Sequence, residues 1–293
     1  MRHYATVCKR EQCDVLIASM DRHCAPYRLH MLAWDFDELP MQAKAGQVAV
    51  TERGVFLARH PDLEPSRLPG PPRLPINVTD TIRWPFFADV MEATGEPLTW
   101  QDGDQFYFSS PEPLYAELAA AGARFAVSPH RIPPRAAGLP GVCLETHRQY
   151  ALYNSGFGWT ADRAPLLEMA ALTREWSYSE VVSRPGRRPL FGDQAHLEDV
   201  AERHNAHVIE HWGVNVAPWN VHGHRLVAGK PEFNVPHLVD GQPLITFHFS
   251  SLRLAPDGTV AQLASAPYEV EWAPGVVELL YRPYINAIKE HVT

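Results

Sequence analysis

The chain is short of cysteine. Its four cysteines are Cys8, Cys13, Cys24 and Cys143 in 293 residues, and no Cys-x-x-Cys pair occurs. That density excludes a disulfide-rich scaffold. A zinc site built from the first three of them and His23 would match no common zinc finger in its spacing. Reduced, mostly buried thiols in a cytosolic protein are the favoured interpretation.

Membrane and targeting segments are also lacking. No stretch approaches the roughly 20 apolar residues of a membrane-spanning helix. The amino terminus leads directly into a strand-like run rather than a signal peptide. The sequence therefore predicts a soluble, cytoplasmic protein.

Basic charge is in deficit. The chain has 26 Lys and Arg against 34 Asp and Glu, a formal net charge of -8. This balance disfavours non-specific binding to nucleic acids or anionic membranes. A local basic patch is still compatible with this net charge. One such patch consists of Arg184, Arg187 and Arg188, which would either attract an anionic acceptor or lie in a solvated loop.

Apolar sequence is sufficient for a substantial core. Apolar residues make up 45% of the chain, and its length suits one large α/β domain or two small ones. Residues 3–8 and 27–34 are strand-like, and residues 14–24 have helical spacing with Asp14 as a candidate N-cap. This β-α-β opening predicts an α/β fold with a mostly parallel central sheet flanked by helices. No repeat or linker divides the chain, so we expect one domain over residues 1–293.

The remaining pattern alternates in the same way. Six prolines in residues 61–75 predict a stiff surface loop, and residues 184–189 predict a flexible basic loop. Helices are predicted at 81–94, 111–122, 162–176, 193–204 and 276–291. Strands are predicted at 98–100, 124–128, 149–159, 206–211 and 243–250.

Four polar clusters each lie next to a strand-like run. They are Asp102-Gly103-Asp104, Asn154-Ser155-Gly156-Phe157-Gly158, Gly192-Asp193-Gln194 and His248. On an extended segment the two carboxylates of the first cluster would share a face and reach one hard cation. The glycines of the second would let the backbone approach a ligand. A helix start in the third would favour a polar ligand.

Each cluster also has an ordinary structural interpretation. The acidic pair alone fits a solvated turn, the second cluster fits a simple turn, and Asp193 fits an N-cap. His248, set among aromatic residues, fits a core histidine. The pair His222-Gly-His224 fits a metal site or, equally, a glycine-containing loop.

In order and combination, these segments resemble the GT-A glycosyltransferases that use nucleotide-diphospho-sugars. The resemblance spans residues 3–255. It is carried by the four clusters together with Phe108-Ser-Ser-Pro-Glu-Pro113 and Asn215-Val-Ala-Pro-Trp-Asn220. The chain is most similar to bacterial and phage-type relatives of the retaining enzymes that transfer a sugar, as hexosyltransferases do, from UDP-sugars. This resemblance implies a GT-A-like, Rossmann-type fold.

The resemblance also implies a metal site. Asp102, Asp104 and His248 would hold Mn²⁺ or Mg²⁺ together with the donor diphosphate, and Asp102 would also approach the ribose. The ion would neutralise charge on the departing nucleoside diphosphate. Thr6, near the end of the first strand, would lie close to the nucleotide base.

Further roles follow from the resemblance. The implied catalytic residues, which would hold the hydroxyls of the donor sugar, are Asn154, Asp193 and Gln194. The residues implied to line the sugar or acceptor side are Asn215, Trp219 and Asn220. The Asp193-Gln194 pair is similar to the retaining pattern, so retention of anomeric configuration is favoured.

The chain departs from this pattern in places. Gln101 is polar where relatives are apolar, and Gly103 loosens the strand. The lysine-bearing phosphate motif of some retaining relatives is absent near His248, and Arg253 is the nearest cation along the chain. These departures leave the subfamily open.

Two other function classes stay open. A metal-dependent nucleotidyltransferase or phosphohydrolase also uses Asp-x-Asp, but it would want more clustered carboxylates or a glycine-rich phosphate loop. The second alternative is a catalytically silent sugar-binding module. The acceptor, whether a glycan, a small molecule or modified DNA, is left open, as is the oligomeric state.

Overall fold

The computed structural model describes residues 1–34, 46–68, 75–132, 152–175, 182–184, 187–190, 192–230, 236–255, 257–264, 272 and 274–291. Its helices are Arg10–His23, Arg53–Arg59, Pro75–Thr94, Glu112–Ala120, Ala164–Glu175, Gln194–Arg203 and a closing run of Pro274–Val276, π-helical Val277–Tyr281 and Arg282–His291. Short 3-10 turns cover Pro61–Leu63, Pro65–Arg67 and Val221–Gly223.

The described strands are numbered in chain order. They are β1 (Arg2–Cys8), β2 (Tyr27–Ala33), β3 (Val48–Glu52), β4 (Leu98–Gln101), β5 (Gln105–Tyr107), β6 (Phe125–Pro129), β7 (Tyr153–Thr160), β8 (Val182–Arg184), β9 (Arg187–Leu190), β10 (His207–Val208), β11 (Leu226–Val227), β12 (Leu238–Val239), β13 (Gln242–Pro243), β14 (Thr246–His248), β15 (Arg253–Leu254) and β16 (Val260–Gln262).

Seven strands form the central sheet, in the order β10-β6-β7-β4-β1-β2-β3. Strand β1 runs parallel to β2 and β4, β2 is parallel to β3, and β10 is parallel to β6. Only β7 is antiparallel to its neighbours β4 and β6. The structure therefore confirms the predicted α/β class with a mostly parallel central sheet.

The sheet buries both of its faces, as parallel sheets do. Consecutive residues of β1 point to opposite faces: Tyr4 packs with Leu16 and Met20 of the first helix. Its neighbour Ala5 belongs to a second cluster with Ile82 and Phe86 of the helix Pro75–Thr94. This two-sided burial accounts for the consecutive buried residues Tyr4, Ala5 and Thr6 of β1, which lies between β4 and β2 inside the sheet.

Two predictions at the amino-terminal end are wrong. The first helix begins at Arg10, after Lys9, so Asp14 is not an N-cap but a buried residue inside the helix, 2% exposed. Cys8 and Cys13 form a disulfide instead of two thiols, because the helix start folds back onto the end of β1. Cys24 is a free, buried thiol as expected, and Cys143 lies outside the described residues.

Other segments differ less from expectation. Strands β8 and β9 pair as an antiparallel hairpin where a flexible basic loop is predicted, with residues 185–186 outside the described ones. The proline-rich segment forms two 3-10 turns before residue 69, and residues 69–74 are not described. Within the described chain, no helix has both the length and the apolar character needed to cross a bilayer.

Candidate metal centre

The acidic pair lies on a tight turn between β4 and β5. The Asp102 N–H donates to the Gly156 carbonyl over 2.9 Å, and the Gln105 N–H donates to the Asp102 carbonyl over 3.3 Å. The expectation of an extended segment is therefore wrong, since the chain reverses here. A Cβ at Gly103 would stand 2.4 Å from the Cβ of Cys8, so glycine lets the turn pack directly on the carboxyl end of β1.

Strand pairing brings His248 to the acidic pair. Strand β14 is antiparallel to β5, with His248 opposite Gln105, and the Phe249 N–H donates to the Asp104 carbonyl over 3.0 Å. The Nε2 of His248 lies 3.0 Å from Asp104 Oδ1 and 3.6 Å from Asp102 Oδ2.

These three side chains form a candidate cation site. One ligand atom from each lies within 4.8 Å of the others, and the part of the chain that the structure describes holds no second group of this kind. The disulfide removes Cys8 and Cys13 as thiolate ligands, as a zinc site there would require, and His222 and His224 belong to no group of three ligands among the described residues. Two carboxylates and an imidazole suit Mn²⁺ or Mg²⁺.

The backbone leaves room for an ion beside these ligands. A Cβ at Gly156 would lie 2.6 Å from Asp102 Oδ2, 2.7 Å from His248 Cε1 and 2.8 Å from Asn154 Oδ1. The space bounded by Asp102, Asn154, Gly156 and His248 forms a cradle. A side chain at position 156 would fill this cradle, so Gly156 allows the close backbone approach expected from the sequence. A Cβ at Gly158 would instead strike Trp100 at 2.1 Å, and that glycine serves packing.

The ligands titrate together. Burial acts to lower the pKa of His248, but the adjacent Asp104 carboxylate acts in the opposite direction. The net result is a pKa above the ordinary value of histidine. Burial likewise acts to raise the pKa of Asp104, and His248 outweighs it, so that pKa is lowered. For Asp102, burial prevails over Arg83 and His248, and its pKa is raised. A cation at this place would compete with a proton for His248 Nε2.

Sequence reasoning missed Arg83. Its buried guanidinium donates to Asp80 Oδ1 through Nη2 over 2.8 Å and to Asp102 Oδ1 through Nη1 over 2.9 Å. Its Nε lies 3.5 Å from Asp193 Oδ2. The available signal was a charged residue between Ile82 and Trp84 in an otherwise apolar stretch of helix, because a buried charge requires partners.

Asp193 belongs to this buried network. It occupies the N-cap position of the helix Gln194–Arg203, but its side chain makes no capping hydrogen bond. Its Oδ2 instead accepts from Trp84 Nε1 over 2.9 Å. Burial and repulsion from Asp193 raise the pKa of Asp80 to about 8. The next residue, Gln194, has a buried Oε1 that has no hydrogen-bond partner among the described residues.

Asn154 and Asn215 connect the metal ligands to the sheet. Asn154 Oδ1 accepts from the Gly156 N–H and from Asn215 Nδ2, each over 3.0 Å. The oxygen of the Asn215 amide accepts from Gln105 Nε2 over 2.7 Å. Asn215 is fully buried in the left-handed region, with φ of 55°, so the structure places it behind the cradle as a hub.

The other implied site residues lie in different surroundings. The Trp219 ring packs edge-on against His248, with centroids 5.2 Å apart, and fixes the imidazole. The Asn220 side chain accepts from the Ala217 N–H over 2.9 Å and donates to the His130 carbonyl over 3.0 Å. Thr6 is fully buried on β1, and its hydroxyl has no hydrogen-bond partner among the described residues.

The structure confirms the mostly parallel sheet and brings together the three ligands expected from the sequence. No protein-family model matches the chain. The protein YfnF of Bacillus subtilis (strain 168), which is described as uncharacterized, is 29% identical over 170 residues. That match covers 57% of this chain and 54% of YfnF, so the chain spans about half the length of this relative.

Two solved structures are similar to the chain at a low level. The glycosyltransferase GlyE of Streptococcus pneumoniae TIGR4 aligns with a TM-score of 0.41 and 14% identity, covering 71% of this chain and 45% of GlyE. Mouse xyloside xylosyltransferase 1, apo form, aligns with a TM-score of 0.41 and 13% identity, covering 74% of this chain and 87% of the mouse protein. At these identities neither neighbour's activity transfers to this chain by likeness alone.

Proposed function

We propose that this chain is a metal-dependent glycosyltransferase that moves a sugar from a nucleotide-diphospho-sugar, with uridine as the base, to an acceptor. The observation that carries the proposal is the convergence of Asp102, Asp104 and His248 on one open cradle. Their side chains are 29%, 19% and 5% exposed, so they are largely shielded from water yet reachable by a ligand.

The charge of the surroundings supports a cation here. Asp102 and Asp104 converge beside His248, and among the described residues Arg83 is the only permanent cation in hydrogen-bond contact with either of them. Uncompensated buried carboxylates are costly. Mn²⁺ or Mg²⁺ would restore the balance, and when bound it would act as a Lewis acid on the leaving diphosphate.

The protein's own side chains would position the donor. Asp104 and His248 would hold the ion, and Asp102 would approach both the ion and the ribose. The donor-sugar hydroxyls would be held by Asn154, Asp193 and Gln194. The orphaned Oε1 of Gln194 supports this role, because buried polar atoms rarely lack a partner in the complete system.

Retention of anomeric configuration is the favoured outcome. An inverting enzyme needs a free carboxylate base beside the acceptor hydroxyl. Asp193 is 1% exposed and already paired with an indole N–H and a guanidinium, so it suits holding rather than deprotonation. Proton NMR of the first-formed product gives the anomeric configuration, and an inverted product would assign Asp193 or another group as base.

Calorimetry with UDP and Mn²⁺ tests the metal site. We expect the wild-type chain to bind UDP only with the metal, and Asp104→Asn to weaken that binding at least about 100-fold, since even outer-shell partners of metals cost 10–100-fold. Glu96→Gln, an exposed carboxylate outside the metal ligands, serves as the matched control.

Each of four outcomes would contradict the proposal. Metal-independent UDP binding, or equal binding by Asp104→Asn, would remove the metal role. Release of UMP rather than UDP from a UDP-sugar would indicate a nucleotidyltransferase or phosphohydrolase. No UDP binding under any condition would leave a sugar-binding module.

A further inference from the structure

Trp212 presents an exposed indole on the loop between β10 and β11. It is 40% exposed, and its backbone N–H donates to Gln242 Oε1 over 2.6 Å. Single exposed apolar side chains are ordinary on protein surfaces. What distinguishes this one is that its ring has fixed groups beside it.

The first fixed group is Arg131. Its guanidinium carbon lies 5.0 Å from the centroid of the Trp212 ring. The same guanidinium donates to the backbone carbonyls of Ile209, His211 and Val214 over 2.7, 3.1 and 3.0 Å. Three carbonyls of the loop that carries Trp212 thus hold the cation, and the cation in turn holds the indole.

The second fixed group is His224. Its ring centroid lies 5.0 Å from that of Trp212, at an interplanar angle of 59°. Its Nδ1 is 2.6 Å from Asp240 Oδ2, so the imidazole is tied to the turn after β12. With a neighbour fixed on each of two elements, the indole loses little conformational entropy when a ligand stacks on it.

The loop also leads into the candidate site. Trp212 is three residues before Asn215, so their Cα atoms lie within about 11 Å of each other. Asn215 donates to Asn154, whose Oδ1 borders the cradle at Gly156. The loop that carries Trp212 therefore continues directly into the residues that support the candidate site.

We infer that Trp212 is the stacking platform for a pyranose ring of a glycan acceptor. This inference rests on the proposed function and names the substrate class that it leaves open. An immobilised indole offers a flat apolar face to the C–H face of a sugar, and the loss of its exposed area to water favours binding. An unstacked nucleobase would use the same face.

The charges favour the sugar over a nucleic acid. The chain has a net charge of -8, Asp240 lies beside the platform through His224, and the exposed Glu210 is two residues away. Binding of a phosphate backbone depends on clustered cations. Arg131 is the cation that contacts Trp212, and its guanidinium already donates hydrogen bonds to three backbone carbonyls instead of to a phosphate.

NMR of the indole N–H groups of the whole chain tests the inference, with Trp212→Phe used to assign the resonance. The probes are lactose, maltose, cellobiose and a single-stranded DNA oligonucleotide, each added with UDP and Mn²⁺. We expect at least one disaccharide to shift the Trp212 resonance. Calorimetry should show that Trp212→Ala lowers affinity for that disaccharide about tenfold, that Trp212→Phe retains most of it, and that Val227→Ala, another exposed apolar residue, leaves it unchanged.

Opposite results overturn the inference. It fails if no disaccharide moves the resonance, if Trp212→Ala binds the sugar as the wild type does, or if only the oligonucleotide causes a shift. Binding of UDP with Mn²⁺ is measured on every variant. Absence of UDP binding in the wild type would refute the proposed function. Intact UDP binding without any response to a disaccharide would refute only the role of Trp212 as a stacking platform.

Discussion

Arg83 donates a hydrogen bond to Asp102 over 2.9 Å, from a helix that precedes the acidic turn in the chain. The same guanidinium binds Asp80 over 2.8 Å and lies 3.5 Å from Asp193. The carboxylates are thus tied to one buried cation, which holds Asp102 of the candidate metal centre at a fixed separation from Asp193.

Replacing Arg83 should destabilise the fold strongly. Arg83→Gln leaves three carboxylates without their shared partner, and breaking a buried ion pair costs about 3–5 kcal/mol. Urea unfolding at neutral pH measures the change. The control is Arg59→Gln, which removes a half-exposed guanidinium 3.2 Å from Asp89 and should cost no more than about 1 kcal/mol. Equal effects of the two substitutions would show that the buried network contributes little.

Filling the cradle should block the metal without unfolding the protein. In Gly156→Ala, the new methyl group would stand within 3 Å of Asp102, His248 and Asn154 side-chain atoms. We expect Mn²⁺ binding to be lost, as seen by electron paramagnetic resonance of the free ion. In Gly54→Ala no atom lies within 4 Å of the new Cβ, so metal binding should be unchanged and the helix Arg53–Arg59 slightly more stable. Undiminished Mn²⁺ binding by Gly156→Ala would show that the ion binds somewhere other than this cradle.

The histidine pair on β1 and β2 should make the fold sensitive to acid. His3 and His30 stack with centroids 5.4 Å apart, and burial, followed by repulsion from His3, lowers the pKa of His30 to about 4. The unfolded chain takes up this proton near pH 6.5, so the stabilisation is present above that pH. It is lost as the pH falls towards 4.

The size of this effect follows from linkage. Between pH 7 and pH 4.5 the free energy of unfolding should fall by about 2 kcal/mol through His30, and His30→Gln should remove that part of the fall. Urea titrations at the two pH values measure it. His23→Gln is the comparison, because burial also lowers the pKa of His23 to about 4 but at a separate place on the first helix. If His30→Gln keeps the full wild-type slope, the pair does not titrate as described.

Much of the frame could be predicted from the sequence because its signals are local. The β-α-β opening, the helix starts and the apolar runs depend on spacing along the chain, and β1, β2 and the helix Ala164–Glu175 lie where that spacing predicts them. The strand before the acidic pair was predicted to within one residue. The helix start at Arg10 was missed, because no Ser, Thr, Asp or Asn marks the N-cap at Lys9.

The candidate site was predictable only in part. Asp102, Asp104 and His248 were named together from the resemblance, and the structure brings their ligand atoms within 4.8 Å. Arg83 was not predicted, because two of its three partners are 19 and 110 positions away along the chain and only Asp80 lies at the i, i+3 spacing of a helix. The Cys8–Cys13 disulfide was likewise missed, because it depends on how the first helix folds back onto β1.

By itself, the sequence determined much of the secondary structure, the mostly parallel character of the sheet and the residues able to bind a cation, since periodicity and side-chain chemistry are properties of the chain. The tertiary structure alone decided that the acidic pair sits on a turn, that β14 brings His248 opposite Gln105, and that one arginine joins three carboxylates. Those contacts form only when burial makes an unpaired charge or backbone group costly, and that cost depends on the whole fold.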